Sequence, residues 1–498
     1  MKSAMLRWRI IATVCWMAGG LALTLQGRAQ GYGGPLEMQG LHQLSLQAAS
    51  VRAFGGVALG LGDEVGVMFQ NPAALYTLDG LQLSLGAHQE RRRLRQVQEY
   101  APVRYYPNLS LLLEGLTYKI PDPDTSLVGF SPRDTVQRPF DDIGPNWERT
   151  RRYRRPLQGM IAVPLTLERV RLVAGLGVVE YANLDHYYQN NNVLNPPVLS
   201  QRPLPTPRPT DDNPLQVDWY QFARARSGAL RGIGGALALD FPKRGVAFGV
   251  SGLVVRGSTD DWEQEIARGR LTFYSNAFRV DSVYRHVTRR GTSDFKGQEF
   301  TLSGLLYGRS VQVAVVLKPP VTFTRTFSQE VTTDTGDRQE VQTLRGEDRM
   351  RLPWRGWIGM VLQPRSDLRL GIAYELRPYG SARYTDAQGN TSRPWTSANL
   401  LRVGVEVAPT SWLRLRGGLR GESEVFVPEG APITDDAVSC EVYSAGLGIV
   451  QARFRFDLAY EYAHLKYQDA WASALSRNST VRHALAASLT VRLGKQTP

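Results

Sequence analysis

Cysteine is nearly missing from this chain, with two residues in 498, Cys15 and Cys440. Cys15 lies in an apolar N-terminal run, so Cys440 is the one thiol left once that run is removed. A single thiol makes neither an internal disulfide nor a thiolate zinc site, and a chain of this size must then hold its fold without staples. Lysine is scarce as well: seven of the 59 basic residues, the rest being arginine spread over many segments. Nucleic-acid binding asks for a basic patch on one face, which this scatter does not supply. The six histidines include no pair at metal-ligand spacing, and H-E-x-x-H, G-x-S-x-G, G-x-G-x-x-G and Walker patterns are missing. No metal, cofactor or enzyme class is indicated; a lipid hydrolase with a Ser/His pair outside any local motif is the one catalytic reading left open. After the extreme N-terminus no run of 18 apolar residues escapes a charge, which excludes a helical membrane protein. A membrane barrel is not excluded, because its lipid-facing residues alternate with polar ones and average out along the chain.

What is present begins with an export signal. Lys2, Arg7 and Arg9 form a basic start, Ile10 to Leu25 an apolar core, and Gly27-Arg28-Ala29 the small-x-small pattern before a cut at Gln30. A cleaved leader over residues 1–29 is expected. Its removal takes away Lys2, Arg7, Arg9 and Arg28 and leaves a basic chain, whose expected partners are anionic lipid head groups or an acidic solute in a pore rather than nucleic acid, the alternative being a plain compositional preference for arginine over lysine.

The strongest pattern is strict alternation. Leu401, Val403, Val405 and Val407 alternate with Arg402, Gly404 and Glu406; Leu413, Leu415 and Leu419 stand against Arg414, Arg416 and Arg420; Phe454, Phe456, Leu458, Tyr460 and Tyr462 stand against Arg455, Asp457 and Glu461. Each segment is a strand with one apolar and one polar face. They run to about ten residues, the length of a tilted membrane strand. The apolar sets should face lipid, and Arg402, Glu406, Arg414, Arg416, Arg420, Arg455, Asp457 and Glu461 should face a net-positive, wet lumen. Six tight turns join such segments, near Glu168-Arg169, Pro242 to Gly245, Gly308 to Ser310, Pro364 to Asp367, Pro409 to Ser411 and Gln451-Ala452. Between the hairpins lie polar stretches expected to be long loops: 99–150, 190–218, 259–297, 328–350, 386–397 and 428–439. Twelve hairpin strands, with one starting at Leu81 and one ending at Leu493, make fourteen. Short turns alternating with long loops predict an all-β protein, a transmembrane antiparallel up-and-down β-barrel with its turns in the periplasm.

The most specific stretch precedes the first strand: Ser50-Val51-Arg52-Ala53-Phe54-Gly55-Gly56, then Asp63-Glu64, then Asn71-Pro72-Ala73. Glycines here permit close packing and positive φ; Pro72 fixes the exit angle into the strand, and Asn71 can bond its own backbone to hold the turn. The segment is too apolar for water, with Leu46, Val51, Phe54, Val57, Leu59, Val67, Met68 and Phe69 needing burial. In this order it resembles the N-terminal hatch of the FadL/TodX family of outer-membrane transporters. The resemblance implies a hatch or plug over residues 30–79 inside a barrel over residues 80–498, with Arg52, Gly55, Gly56, Asp63, Asn71, Pro72 and Ala73 as hatch and gating positions. It also implies passive transport of hydrophobic compounds such as long-chain fatty acids, and a lateral opening between strands. Expected partners are hydrophobic small molecules or lipids and outer-membrane lipid, with the protein a monomer in the cell outer membrane. The alternative is a non-transporting barrel of the same fold, a secretion or surface-attachment scaffold like the PorV barrel. A transporter needs an apolar pocket beneath the outer loops; a lumen closed by charged pairs favours the scaffold.

Overall fold

The computed structural model describes residues 38, 40–43, 48–62, 64–100, 146–167, 170–195, 210–274, 278–426, 438–471 and 474–493. The expected leader, Leu46, Asp63, and the loop residues 101–145, 196–209 and 427–437 lie outside them. Fourteen antiparallel strands close on themselves. They are β1 (Leu81–Tyr100), β2 (Trp147–Leu167), β3 (Val170–Asn183 with His186–Asn195), β4 (Leu215–Phe241), β5 (Val246–Phe273), β6 (Phe278–Asp281 with His286–Tyr307) and β7 (Val311–Lys318 with Val321–Asp334). The second half comprises β8 (Gln339–Leu352 with Arg355–Arg365), β9 (Leu368–Leu376 with Arg383–Thr385), β10 (Thr391–Ser392 with Leu400–Val407), β11 (Leu413–Ser423), β12 (Ser439–Val450), β13 (Phe454–Trp471) and β14 (Ala474–Leu493). Each pairs with its sequence neighbours, and β14 returns to β1 from Leu81↔Leu493 to Tyr100↔Ala474, which abolishes the sheet edge.

The alternation sets the two faces. Leu401, Val403 and Val405 are 50%, 42% and 38% exposed on the outside, whereas Arg402 and Glu406 between them are 3% and 2% exposed. The same outward belt holds Ile161, Leu176, Ile233, Leu237, Phe300, Ile372, Leu415 and Leu489. Among the described residues no helix is long and apolar enough to cross a membrane; strands do the crossing.

The strands are longer than the alternation suggests. β4 and β5 have 27 and 28 residues, which at about 3.3 Å per residue is more than twice the hydrophobic thickness even when tilted. Much of stretches 259–297 and 328–350, expected as loops, is paired sheet: β5 meets β6 up to Ile266↔His286, and β7 meets β8 to Asp334↔Gln339. These ends stand beyond the membrane, where the outer face meets water and is polar, so the apolar half of the period-2 signal disappears while the pairing continues.

Inside the barrel sits the N-terminal segment: a short helix α1 (Ala49–Ala53) and 3-10 turns at Val65–Val67 and Pro72–Thr77. Val51, Phe54, Val57, Leu59, Val67, Met68 and Phe69 are all at most 3% exposed, in one core with inward residues of the wall. β7 and β8 break at adjacent levels, at Pro319-Pro320 and Pro353-Trp354, where prolines cannot donate to the ladder. β9 and β10 break beside them, and Tyr379 and Trp395 from those breaks are buried over the plug, their rings 5.6 Å apart.

Candidate functional site: the plugged lumen and a seam in its wall

The plug meets β10 through glycine. Gly55 and Gly56 take φ of 68° and 86°, a region that β-carbons disfavour. A Cβ on Gly55 would lie 2.1 Å from the Val403 carbonyl oxygen, and one on Gly404 2.4 Å from that of Phe54. Around this contact the predicted charges converge. Arg402 donates to the Gly56 carbonyl at 2.9 Å and pairs with Glu375. Arg52 reaches from α1 to Glu461 at 2.8 Å, and Glu461 also takes Arg420 at 2.5 Å. Arg455 donates to the Gly62 carbonyl at 3.1 Å and stands 3.3 Å from Glu64. Glu64 accepts the Ser50 hydroxyl at 2.8 Å and the Gly66 amide at 3.0 Å, so it caps the turn that follows it. Behind these contacts Asp457 joins Arg416 at 2.6 Å and Arg455 at 2.7 Å, while Glu406 takes Arg416 and Arg369, each at 2.7 Å. Arg414 stands at the periplasmic rim and donates to the carbonyls of Thr410 and Leu413.

Asn71-Pro72-Ala73 docks on the opposite wall. Asn71 donates to the Ala58 carbonyl at 3.1 Å, which ties two parts of the plug together; the expected bond to its own backbone is not made. The reason is burial: at 0% exposure the amide needs a partner, and Ala58 is within reach. Pro72 opens the 3-10 turn. The Ala73 amide donates to Ser303 Oγ on β6 at 2.8 Å, and a Cβ on Gly249 of β5 would fall 2.2 Å from the Ala73 nitrogen. Met68 and Phe69 press on Gly175 and Gly177 of β3.

Two small cavities of about 120 Å³ each lie outward of the plug and share Arg92, Gln43 and Glu424. The deeper one is walled by charge, with Glu90 beside Arg92, and Arg482 2.6 Å from Glu422. His42 Nε2 of the plug bonds Glu424 at 2.9 Å at its edge. The outer one carries aromatics: Trp147, Tyr153, Tyr187, Phe426 and Tyr467. None of Glu90, Arg92, Glu422 or Arg482 was singled out from sequence. Even-numbered polar residues from Gln82 to Arg92, all inward, carried that signal. A second network, further out on β4 to β8, joins Arg226 to Asp261 at 2.6 Å, Ser293 to Asp261 at 2.7 Å and Arg325 to Asp348 at 2.7 Å, all buried. Asp261, Ser293 and Asp348 fall in stretches that read as loops, whereas Arg226 and Arg325 lie outside them.

The wall beside the cavities is incomplete. Among the described residues the β2–β3 ladder runs from Leu167↔Val170 only to Gly159↔Val178. Above it β2 pairs with β1 alone, and His186–Asn195 with β4 alone. β3 breaks at Leu184-Asp185, where the Leu184 amide donates to the Gly228 carbonyl at 3.1 Å and the Gly228 amide to Asp185 at 3.0 Å. Side chains span the seam: Arg151 donates to the Arg226 carbonyl at 3.1 Å, Arg92 to the Asp185 carbonyl at 3.4 Å, and Trp147 meets Tyr187 edge-on at 5.4 Å. From inside, Gly40 of the plug packs so closely on Leu184 that a Cβ would lie 2.9 Å from it.

No protein-family model matches the chain, and no curated protein matches it in sequence. Solved structures do match in fold. A FadL homologue from Pseudomonas aeruginosa superposes with a TM-score of 0.59 at 12% identity, over 91% of this chain and 100% of that one. The toluene transporter TodX of P. putida gives 0.52 at 13% identity, and the monoaromatic hydrocarbon channel CymD 0.52 at 11%, each over 91% of this chain and 100% of the other. The fourteen-strand barrel of this chain therefore shares its fold with these solved structures.

Proposed function

We propose that the protein is an outer-membrane transporter of hydrophobic compounds, working passively and as a single barrel. Solutes enter between the outer ends of the strands, rest against the aromatic cavity, and leave sideways through the β2–β3 seam. The observation that carries this reading is the seam: a gap in backbone pairing, bridged by side chains and backed by the plug, beside the cavities. Rotamer changes of Arg151, Arg92 and Trp147 open it without breaking a strand ladder. The architecture shared with the hydrocarbon channels named above supports the same reading. Residues 30–79 act as the plug, and Asn71-Pro72-Ala73 is its anchor on the wall, through which its position is transmitted to the core.

A second reading, the non-transporting scaffold, is favoured by the charged lining of the deeper cavity. The two are separated by mass spectrometry of lipid and detergent retained by the purified protein, and by uptake of toluene and of a long-chain fatty acid into cells that lack other such channels. A transporter carries bound apolar molecules and raises uptake of one of the two. Changing Asn71 and Pro72 to Ala should lower that uptake more than it lowers the amount of protein in the membrane. Deleting residues 41–70 should leave a foldable barrel of higher ionic conductance. No bound molecule and no change in uptake would leave the scaffold.

A further inference from the structure

Three cations stand side by side on the outside of the barrel. Arg231 on β4 is directly opposite Arg256 on β5, which is directly opposite Lys296 on β6, and all three are exposed. Like charges placed opposite one another across strands repel. Among the described residues Arg231 and Arg256 make no ion pair or hydrogen bond, and Lys296 has only Glu347 at 4.0 Å. Glu180, opposite Arg231 on β3, turns its carboxylate toward His88 at 3.5 Å instead. Asp294 and Asp260 lie further out along the same strands.

The height of this row is set by the chain. Phe241 and Val246 flank the tight periplasmic turn between β4 and β5, and Arg231 and Arg256 each come ten residues further out. At about 3.3 Å per residue and a tilt of about 40°, that places them about 25 Å from the turn, one hydrophobic thickness. The outward positions in between are apolar: Leu239, Leu237 and Ile233 on β4, Phe248, Val250 and Val254 on β5. The row therefore lies at the head-group level of the outer leaflet. Beneath it the wall is hollowed into an apolar groove of about 630 Å³, floored by Ala174, Gly235 and Gly252 between Leu176, Leu237 and Phe300. Small residues at lipid-facing positions make the hollow.

We propose that this face is a specific site for a phosphate-bearing lipid of the outer leaflet, its phosphate on Arg231, Arg256 and Lys296 and one acyl chain in the groove. Charge complementarity names the head group: three cations with one acid at their edge, Glu347 at 4.0 Å from Lys296, accept an anion, and guanidinium groups hold phosphate through paired hydrogen bonds. The groove directly below supplies the apolar half. The site is distinct from the lumen and does not depend on what the barrel transports.

The test is native mass spectrometry of the mature protein in non-ionic detergent, titrated with bisphosphorylated lipid A and with the same lipid after dephosphorylation. One phosphorylated lipid should stay bound, the dephosphorylated form should bind at least about tenfold more weakly, and inorganic phosphate should not displace the lipid. Changing Arg231, Arg256 and Lys296 together to Gln should weaken binding by about a hundredfold. Gly252→Val, which would meet Phe300 at about 3 Å and fill the groove while sparing the charges, should weaken it by about threefold to tenfold. Arg365→Gln in a periplasmic turn serves as the control and should leave it unchanged. Equal binding of both lipids, or equal binding by wild type and the triple variant, overturns the proposal. Should the triple variant fail to fold, Arg256→Gln alone decides by the same comparison.

Discussion

The plug is fastened to its barrel by unlike means on its two sides. Toward β10 and β13 close glycine contacts, Gly55 on Val403 and Gly404 on Phe54, are joined by charged ones: Arg52 to Glu461, Glu64 to Arg455, Arg402 to the Gly56 carbonyl. Toward β3, β5 and β6 they are neutral, made by glycines that let backbones touch and by one hydroxyl, Ser303, that takes the Ala73 amide. The first kind tolerates small movements, because a long arginine follows its partner. The second depends on shape and is lost at the first displacement. The two sides should therefore respond differently to substitution, one to loss of charge and the other to loss of fit.

The largest effect should come from Asp457→Ala, which takes from Arg416 and Arg455 an acid they share at 0% exposure. A buried charge left uncompensated costs about 3–5 kcal/mol, to be read as a lowered urea midpoint of the protein in vesicles; an unchanged midpoint would show that this side does not hold by charge. Gly249→Ala attacks the other side, since its Cβ would collide with the Ala73 backbone. Overpacking of this kind costs about 1–3 kcal/mol, and because the barrel can keep its ladders while the plug shifts, the expected readout is higher single-channel conductance with normal folding. The smallest effect is that of Ser303→Ala, which removes one hydrogen bond to the Ala73 amide without any collision and should cost about 1 kcal/mol. If its conductance matches that of Gly249→Ala, the hydroxyl rather than the close fit is what anchors this side.

The periplasmic half of the barrel was legible in the sequence, because lipid on one side and packed lumen on the other force a strict period of two. Five of the six expected tight turns fall between the strands expected; the sixth, Glu168-Arg169, lies outside the described residues, between strands that end at Leu167 and begin at Val170. Outside the membrane the constraint lapses, so residues 259–273 and 328–334 read as loop although they pair. The inward faces of β10, β11 and β13 follow from the alternation, and so does the class of partner, acids on nearby strands and Glu64 of the plug; that Arg52 meets Glu461, 409 residues later, depends on how the plug is threaded. The β2–β3 seam left no trace at all. Backbone pairing that stops carries no compositional mark, and the residues around Gly159 alternate as any strand does.

The outer network of Arg226, Asp261, Arg325 and Asp348 has a consequence for how the molecule is made. These groups are buried and mutually neutralised in the finished barrel, yet they sit past the middle of the strands, in the half away from the turns. Each hairpin that enters from the periplasm must carry its charges through hydrocarbon before the groups on β4 to β8 can meet. The passage is uphill for every unpaired arginine, and the pairing that offsets it comes only after the neighbouring strands have arrived. Insertion should therefore be hindered by each arginine still unpaired and eased once a neighbouring strand brings its acid.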